Sequence, residues 1–486
     1  MTFRPTELLP AIAAGFAAAL FAASPAAAID PFFPSFGNDG YDVLHYDLDL
    51  EADPVANSLQ GVARLSIKAT RQLTTFQLDL AGLGVHKVRV DGDRAGFSQA
   101  NDKLIIEPKR AIPDGRPFEV VIRYGGTPVP LPDPTAPGLD ILPLGWLHAK
   151  KATYVLSEPV GASTFFPCND EPTDRATYSI SVTVPKPYRA VANGLHTATE
   201  DLGIAQRFRY EMRQPMTTWL ATVQVNKYKV VDQVAEGIPL HHYITKKVTD
   251  EQVGEFLRIP QYMKWMRQLV APYPFESYGS ITVDDPNLYY ALETQTVSTY
   301  PFDFIDRGVI VHELAHQWFG NAMSVAEWRD LWIAEGFATY FEFLFPYRNN
   351  PDKFDALMQA IYDYLVANDI GPAVVENGEQ IFSDRTYYRG AVTLYALRQH
   401  VGEQAFWNIV RAFYDRYKYK SVTSADFIEI AVETSRDRSV KKLLNAWLYE
   451  QPVPPLPGVV AGRLSRADEG RAIVAGHLAR RSHERH

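Results

Sequence analysis

A single cysteine, Cys168, among 486 residues excludes any intrachain disulfide. The chain must therefore be held by its core, by a metal, or by both. Positive charge is also in short supply, with 48 Lys and Arg against 57 Asp and Glu and a formal net charge of -9. That balance leaves no basic footprint for releasing counterions from phosphates, and it excludes a nucleic-acid partner. The N-terminal apolar run, Ala11 to Ala23, covers 13 residues, short of the roughly 20 that a membrane helix needs. It follows one Arg and ends in small residues, so residues 1–28 read as a secretory signal cleaved after Ala28. The expectation is an exported chain, periplasmic or extracellular, with no stable membrane insertion after cleavage; retention as an anchor is the alternative. Cys168 lies far from that cleavage site, which excludes a lipid-modified N-terminal cysteine, and it reads as a buried small residue.

What the chain has is core-forming material: 46% hydrophobic, 12% aromatic and 22% charged residues, the profile of a globular protein. The length calls for two domains. Residues 29–232 carry short alternating runs such as YDVLHYDLDLEA, GVARLSIKAT and ATYSISVTVP, separated by Gly, Pro, Asp and Asn turns. This predicts an antiparallel β saddle or sandwich. Residues 233–457 change to helical periodicity, interrupted by two extended pieces, GSITVDD and LYYALETQTV, expected as a hairpin or small sheet against the helices. The fold class is therefore multidomain, β followed by a mainly helical α+β domain, with 458–486 as a surface tail. The adjacent pair His241-His242 reads as a strand end, because neighbouring side chains diverge and cannot share one ion.

The strongest local signal is His312-Glu313-Leu314-Ala315-His316 within a helical pattern whose apolar residues include Ile310, Leu314 and Phe319. Residues four apart on a helix differ by about 40° around the axis, so both imidazoles leave one face and can meet one cation. Neutral imidazoles suit zinc, and a catalytic zinc takes three protein ligands. Eighteen residues separate His316 from Glu335 in WRDLWIAEGFATYFEF, a second helical segment that can pack beside the first and supply the third ligand. Glu313 lies about 100° from His312 around the axis, away from the ion and beside the water it would deprotonate.

With these residues the chain resembles the gluzincin aminopeptidases, the family of aminopeptidase N and leukotriene hydrolase, over residues 40–457, in a short form without the C-terminal helical domain that many relatives carry. HExxH, eighteen residues and a glutamate is that family's zinc signature. FPCNDEP at 166–172 resembles its sheet-domain signature, which gives Cys168 a structural place. The resemblance implies a thermolysin-like catalytic domain, one zinc ion and peptide substrates with a free N-terminus. It also implies site residues. Ala291 and Glu293 in Tyr290-Ala291-Leu292-Glu293-Thr294 match the family's Gly-Ala-Met-Glu-Asn strand, whose glutamate grips the substrate α-ammonium while the strand pairs with the peptide. Glu158 falls at the second amine-binding position. Tyr387 matches the tyrosine of a Tyr-x-Lys-Gly element, with Arg389 in place of the lysine and Gly390 retained, and its phenol would donate to the oxyanion. Tyr388 is the neighbouring rival. The absence of the extra helical domain implies an open cleft.

Three functions follow in order of fit: a zinc aminopeptidase, a thermolysin-type zinc endopeptidase, and a non-catalytic binding protein of the same fold. The first needs the two amine anchors as well as the zinc ligands. The second needs only the ligands and Glu313. The third needs neither.

Overall fold

The computed structural model describes residues 29–139 and 142–457; the expected signal, 1–28, and tail, 458–486, lie outside them. The first domain is built on an eight-stranded sheet in the order Leu195–Asp201, Ala205–Thr217, Arg175–Pro185, Tyr41–Asp53, Ser58–Ala69, Pro117–Gly126, Gly84–Val90 and Asp93–Arg94. Alternation explains it. Along Arg175–Pro185 every second residue, Ala176 to Val184, is buried, and the intervening ones remain partly exposed. One pairing departs from the antiparallel expectation: Tyr41–Asp53 runs parallel to Arg175–Pro185, with His45 opposite Thr177. Parallel neighbours need a long crossover, and residues 54–174 provide it.

The FPCNDEP segment ties smaller pieces onto this sheet. Cys168 is fully buried and exchanges backbone hydrogen bonds with Asp79, at 2.7 and 3.0 Å. Asp79 in turn accepts from the Asp170 N–H at 3.0 Å and pairs with Lys103. Asp170 accepts from the Gly161 N–H at 3.1 Å and the Thr218 hydroxyl at 2.7 Å. This network fixes the turn that carries Glu158.

The second domain opens with a four-stranded sheet, Lys229–Ala235, Ile238–Ile244, Tyr278–Val283 and Ser298–Pro301. A division at 232/233 falls inside its first strand, which pairs forward with Ile238–Ile244. His241 and His242 sit within that second strand and diverge. His241 Nδ1 lies 2.7 Å from Asp232, whereas His242 is buried against Phe256. The edge strand Ser298–Pro301 also binds Leu292, whose N–H and C=O both pair with Thr299 at 2.9 and 2.7 Å. The extended piece 288–297 thus contributes one bridging residue rather than a full hairpin arm.

Nine α-helices are present among the described residues: α1 (Asp250–Phe256), α2 (Ile259–Leu269), α3 (Arg307–His316), α4 (Trp332–Leu344), α5 (Pro351–Ala367), α6 (Gly390–Val401), α7 (Glu403–Tyr417), α8 (Ser424–Ser435) and α9 (Ser439–Tyr449). The single periodic stretch 251–270 divides into α1 and α2, because Pro260 is accommodated only in the first turn of a new helix. Asp306 caps α3 by accepting from the Val309 N–H at 3.1 Å. All 13 residues of α4 are buried, so it is the central helix of the domain.

The β domain braces the segments on either side of α3. Arg175 donates to the Asn321 carbonyl at 2.7 Å, just past α3. Asn193 donates to the Gln295 carbonyl at 2.8 Å, and the Gly194 N–H to Thr296 at 2.7 Å. Trp219 and Trp328 meet edge to face at 5.4 Å.

Candidate active site and metal centre

The α3–α4 pair brings three expected ligands together. His312 Nε2 lies 3.1 Å and His316 Nε2 lies 3.4 Å from the same oxygen, Glu335 Oε2. Ligands bonded at about 2.0–2.1 Å in a tetrahedral shell stand roughly 3.3 Å apart, so this donor set fits a zinc ion. The ring nitrogens on the far side are already committed. His312 Nδ1 donates to Glu342 Oε2 and His316 Nδ1 to the Phe319 carbonyl, each at 3.1 Å. These bonds set the tautomers and leave both Nε2 lone pairs facing one point. Gly320 closes the turn behind them with φ of 129°; a Cβ there would come within 3.0 Å of His316 Nδ1.

Glu342 was not among the residues expected from the sequence. Its signal was present, because it stands seven residues after Glu335, two helical turns along the same face.

Carboxylates dominate the rest of the site. Glu158, Glu293 and Glu335 offer oxygens that all lie within 4.8 Å of one another. Glu158, Glu293 and Glu313 are each at most 6% exposed, and each has one buried oxygen without a hydrogen-bond partner. Burial and then the neighbouring Glu293, Glu335 and Glu313 push the Glu158 carboxyl well above its ordinary range. Burial likewise lifts Glu313 to about 8, against the pull of the two imidazoles. Burial would also raise Glu335, but His316 and His312 outweigh it and hold this carboxyl far below its ordinary value. A site so acidic and so dry is deficient in positive charge.

The backbone of this cluster is held from behind. The Glu293 carbonyl accepts from Asn321 Nδ2 at 2.6 Å and Gln317 Nε2 at 3.1 Å. Leu292 gives both of its peptide groups to Thr299, and the preceding Ala291 lines the cavity.

Tyr387 reaches the same centre from a single π-helical turn, Arg385–Arg389, at the head of α6. Its hydroxyl donates to Glu335 Oε1 at 3.0 Å, and its ring stacks on His312. Tyr388 points elsewhere, stacking on Phe343 with 2% exposure. Arg389 is fully buried and donates to the carbonyls of Trp447 and Ile370 at 2.9 and 2.8 Å, so it closes the end of α9 rather than facing the site. The three expected ligands, together with Glu158, Glu293, Glu313, Glu342 and Tyr387, line a cavity of about 420 Å³.

Two family profiles match the chain: Peptidase M1 N-terminal domain over residues 43–220 and Peptidase family M1 domain over 258–447. Among curated proteins it is similar to glutamyl aminopeptidase of Homo sapiens, 29% identical over 62% of this chain and 34% of that protein. It is also similar to glutamyl aminopeptidase of Bos taurus, 28% identical over 85% of this chain and 47% of that protein. The chain thus spans at most about half the length of these relatives. An M1 zinc metallopeptidase from Deinococcus radiodurans, solved as a mutant bound to a Tyr-Ser-Ala substrate, superposes with a TM-score of 0.80. It is 31% identical over 89% of this chain and 99% of that one. The chain belongs to peptidase family M1.

Proposed function

We propose that this protein is a zinc-dependent aminopeptidase that removes the first residue from peptides with a free N-terminus. The observation carrying this reading is the placement of two buried carboxylates, Glu158 and Glu293, within 4.8 Å of Glu335 and with oxygens left without hydrogen-bond partners. Three ligands account for a metal. Two further carboxylates in a dry pocket call for a second cation, and a peptide's α-ammonium is the one that would fix the scissile bond beside the metal. At 4 Å and an effective dielectric of about 20, one such pair is worth on the order of 4 kcal/mol before desolvation is subtracted.

His312, His316 and Glu335 would hold the zinc. When bound, zinc supplies Lewis acidity to the scissile carbonyl and lowers the pKa of water to about 7. Glu313 takes the proton of the attacking water and passes it to the departing amine. The Tyr387 hydroxyl, 3.0 Å from Glu335 Oε1, would donate to the oxygen on which negative charge develops. Ala291, which lines the cavity, would pair its peptide groups with the substrate backbone. Export through residues 1–28 is part of the same proposal. No described helix is long and apolar enough to cross a membrane.

The relatives' glutamyl preference is not carried over, because none of the described residues lining the cavity is Lys or Arg. The test compares a peptide with its N-acetylated form, with and without a chelator. Free peptide should be cut one residue at a time and lose that activity with the metal, while the acetylated form should be a very poor substrate. Equal rates on both forms would make the protein an endopeptidase.

A further inference from the structure

The cavity holds more negative charge than the proposed reaction uses. Eight of its lining residues are Asp or Glu. A zinc ion and an α-ammonium engage Glu335, Glu293 and Glu158, Glu313 serves the water, Glu342 orients His312, and Asp306 caps α3. Asp133 and Glu379 are left over, and of the two Glu379 is exposed whereas Asp133 is partly buried.

Asp133 stands on the loop that follows Pro117–Gly126 and returns at Gly145–Ala149. Mutual backbone hydrogen bonds between Leu131 and Leu144, at 2.9 and 2.8 Å, close the base of this loop. Its outer residues Asp133, Thr135, Ala136 and Leu139 then form one wall of the cavity. The Asp133 carboxylate is positioned by a tight local turn, in which Oδ1 accepts from the Thr135 N–H at 2.8 Å and the Thr135 hydroxyl at 2.7 Å. Burial raises its pKa, those two hydrogen bonds lower it, and no described Lys or Arg contributes. It is a partly buried, oriented anion that has no cation.

Its side of the cavity is the amine side. The charge on Asp133 acts on both Glu158 and Tyr290. A substrate's first side chain leaves the same carbon as the α-ammonium, so anchoring the ammonium on Glu158 and Glu293 directs that side chain toward this wall. Tyr289 and Tyr290 line it as well, packed edge to face at 5.2 Å. Aromatic rings beside a carboxylate suit an aliphatic stem ending in a cation, and a guanidinium above all. We infer that Asp133 is a specificity-determining residue that selects peptides beginning with Arg or Lys and disfavours those beginning with Glu or Asp. This rests on the aminopeptidase reading.

The experiment measures kcat/KM of the zinc-loaded enzyme on aminoacyl-coumarin reporters carrying Arg, Lys, Met and Glu. The wild type should favour Arg and Lys over the uncharged Met by about tenfold or more, equivalent to about 1.4 kcal/mol, with Glu slowest. Added salt should shrink the Arg-to-Met ratio. Asp133→Asn retains the Oδ1 acceptor of the turn and should bring that ratio close to one; Asp133→Lys should raise the Glu-to-Met ratio. A wild-type ratio of one or less, or a ratio that Asp133→Asn leaves intact, overturns the assignment while the aminopeptidase reading stands. Failure to hydrolyse any reporter under conditions that cut internal bonds of acetylated peptides would instead overturn that underlying reading.

Discussion

Gly336 of α4 and Gly390 of α6 meet backbone to backbone: a Cβ added to Gly336 would lie 2.8 Å from the Gly390 Cα, and one added to Gly390 would lie 2.9 Å from the Gly336 Cα. Each glycine sits beside a site residue. Glu335 immediately precedes Gly336, and Tyr387 is three residues before Gly390. The close crossing is what allows the Tyr387 hydroxyl to reach Glu335 Oε1 at 3.0 Å.

Gly336→Ala tests that relationship. Alanine favours a helix interior by about 1 kcal/mol over glycine, but overpacking a tight crossing costs about 1–3 kcal/mol. The expected result is a Tm that does not rise, together with a kcat at least about tenfold lower as α4 and α6 separate. A more stable enzyme with full kcat would show that the contact does not position the pair.

Glu342→Gln tests the support behind His312. The amide still offers an acceptor to Nδ1 but no longer a charge, which makes the imidazole a weaker ligand. Zinc affinity, measured by competition with a chelator, should fall about 10–100-fold. An unchanged dissociation constant would reduce Glu342 to a packing residue.

Glu313→Gln and Tyr387→Phe should lose turnover in different ways. Removing the base should lower kcat by about 10²–10⁴-fold with one zinc per chain retained. Removing the phenol should lower kcat by about 10²–10³-fold and leave KM nearly unchanged. Full turnover in the first variant, or comparable losses in kcat and KM in the second, would contradict the roles proposed for them.

Much of this was legible because it repeats at short range. The HExxH turn needs only helix geometry, so the positions of His312 and His316 on one face follow from four residues of spacing. The alternating runs of the β domain announce strands for the same reason. The parallel pairing of Tyr41–Asp53 with Arg175–Pro185 did not show, since strand partners more than 100 residues apart leave no local pattern. Nor did the use of Lys229–Ala235 by the second domain, which looks like any other alternating strand until its partner is known. Residues whose role depends on two distant elements, such as Glu158 and Tyr387, were reached through family resemblance and not through spacing. Asp133 was missed because a short polar residue in a proline-rich loop has the appearance of an ordinary turn.

Arg389 separates stability from catalysis at the position where the resemblance implies lysine. Its guanidinium spreads over the carbonyls of Trp447, Ile370, Ala446 and Glu450, three of them at the C-terminal end of α9. There it adds to the bond that the Ala446 carbonyl already accepts from the Glu450 N–H, serves the carbonyls of Trp447 and Glu450 at the helix end, and brings a charge that complements the helix dipole. A lysine ammonium carries its donors on one atom and cannot serve carbonyls fanned out across a planar fork. Arg389→Lys should therefore leave buried acceptors unpaired, at about 1–3 kcal/mol each, and lower the Tm measured by thermal unfolding. Because Arg389 faces away from the cavity, kcat per bound zinc should hold below the transition. An unchanged Tm with altered kcat would mean that the side chain at this position acts on the reaction through Tyr387 instead.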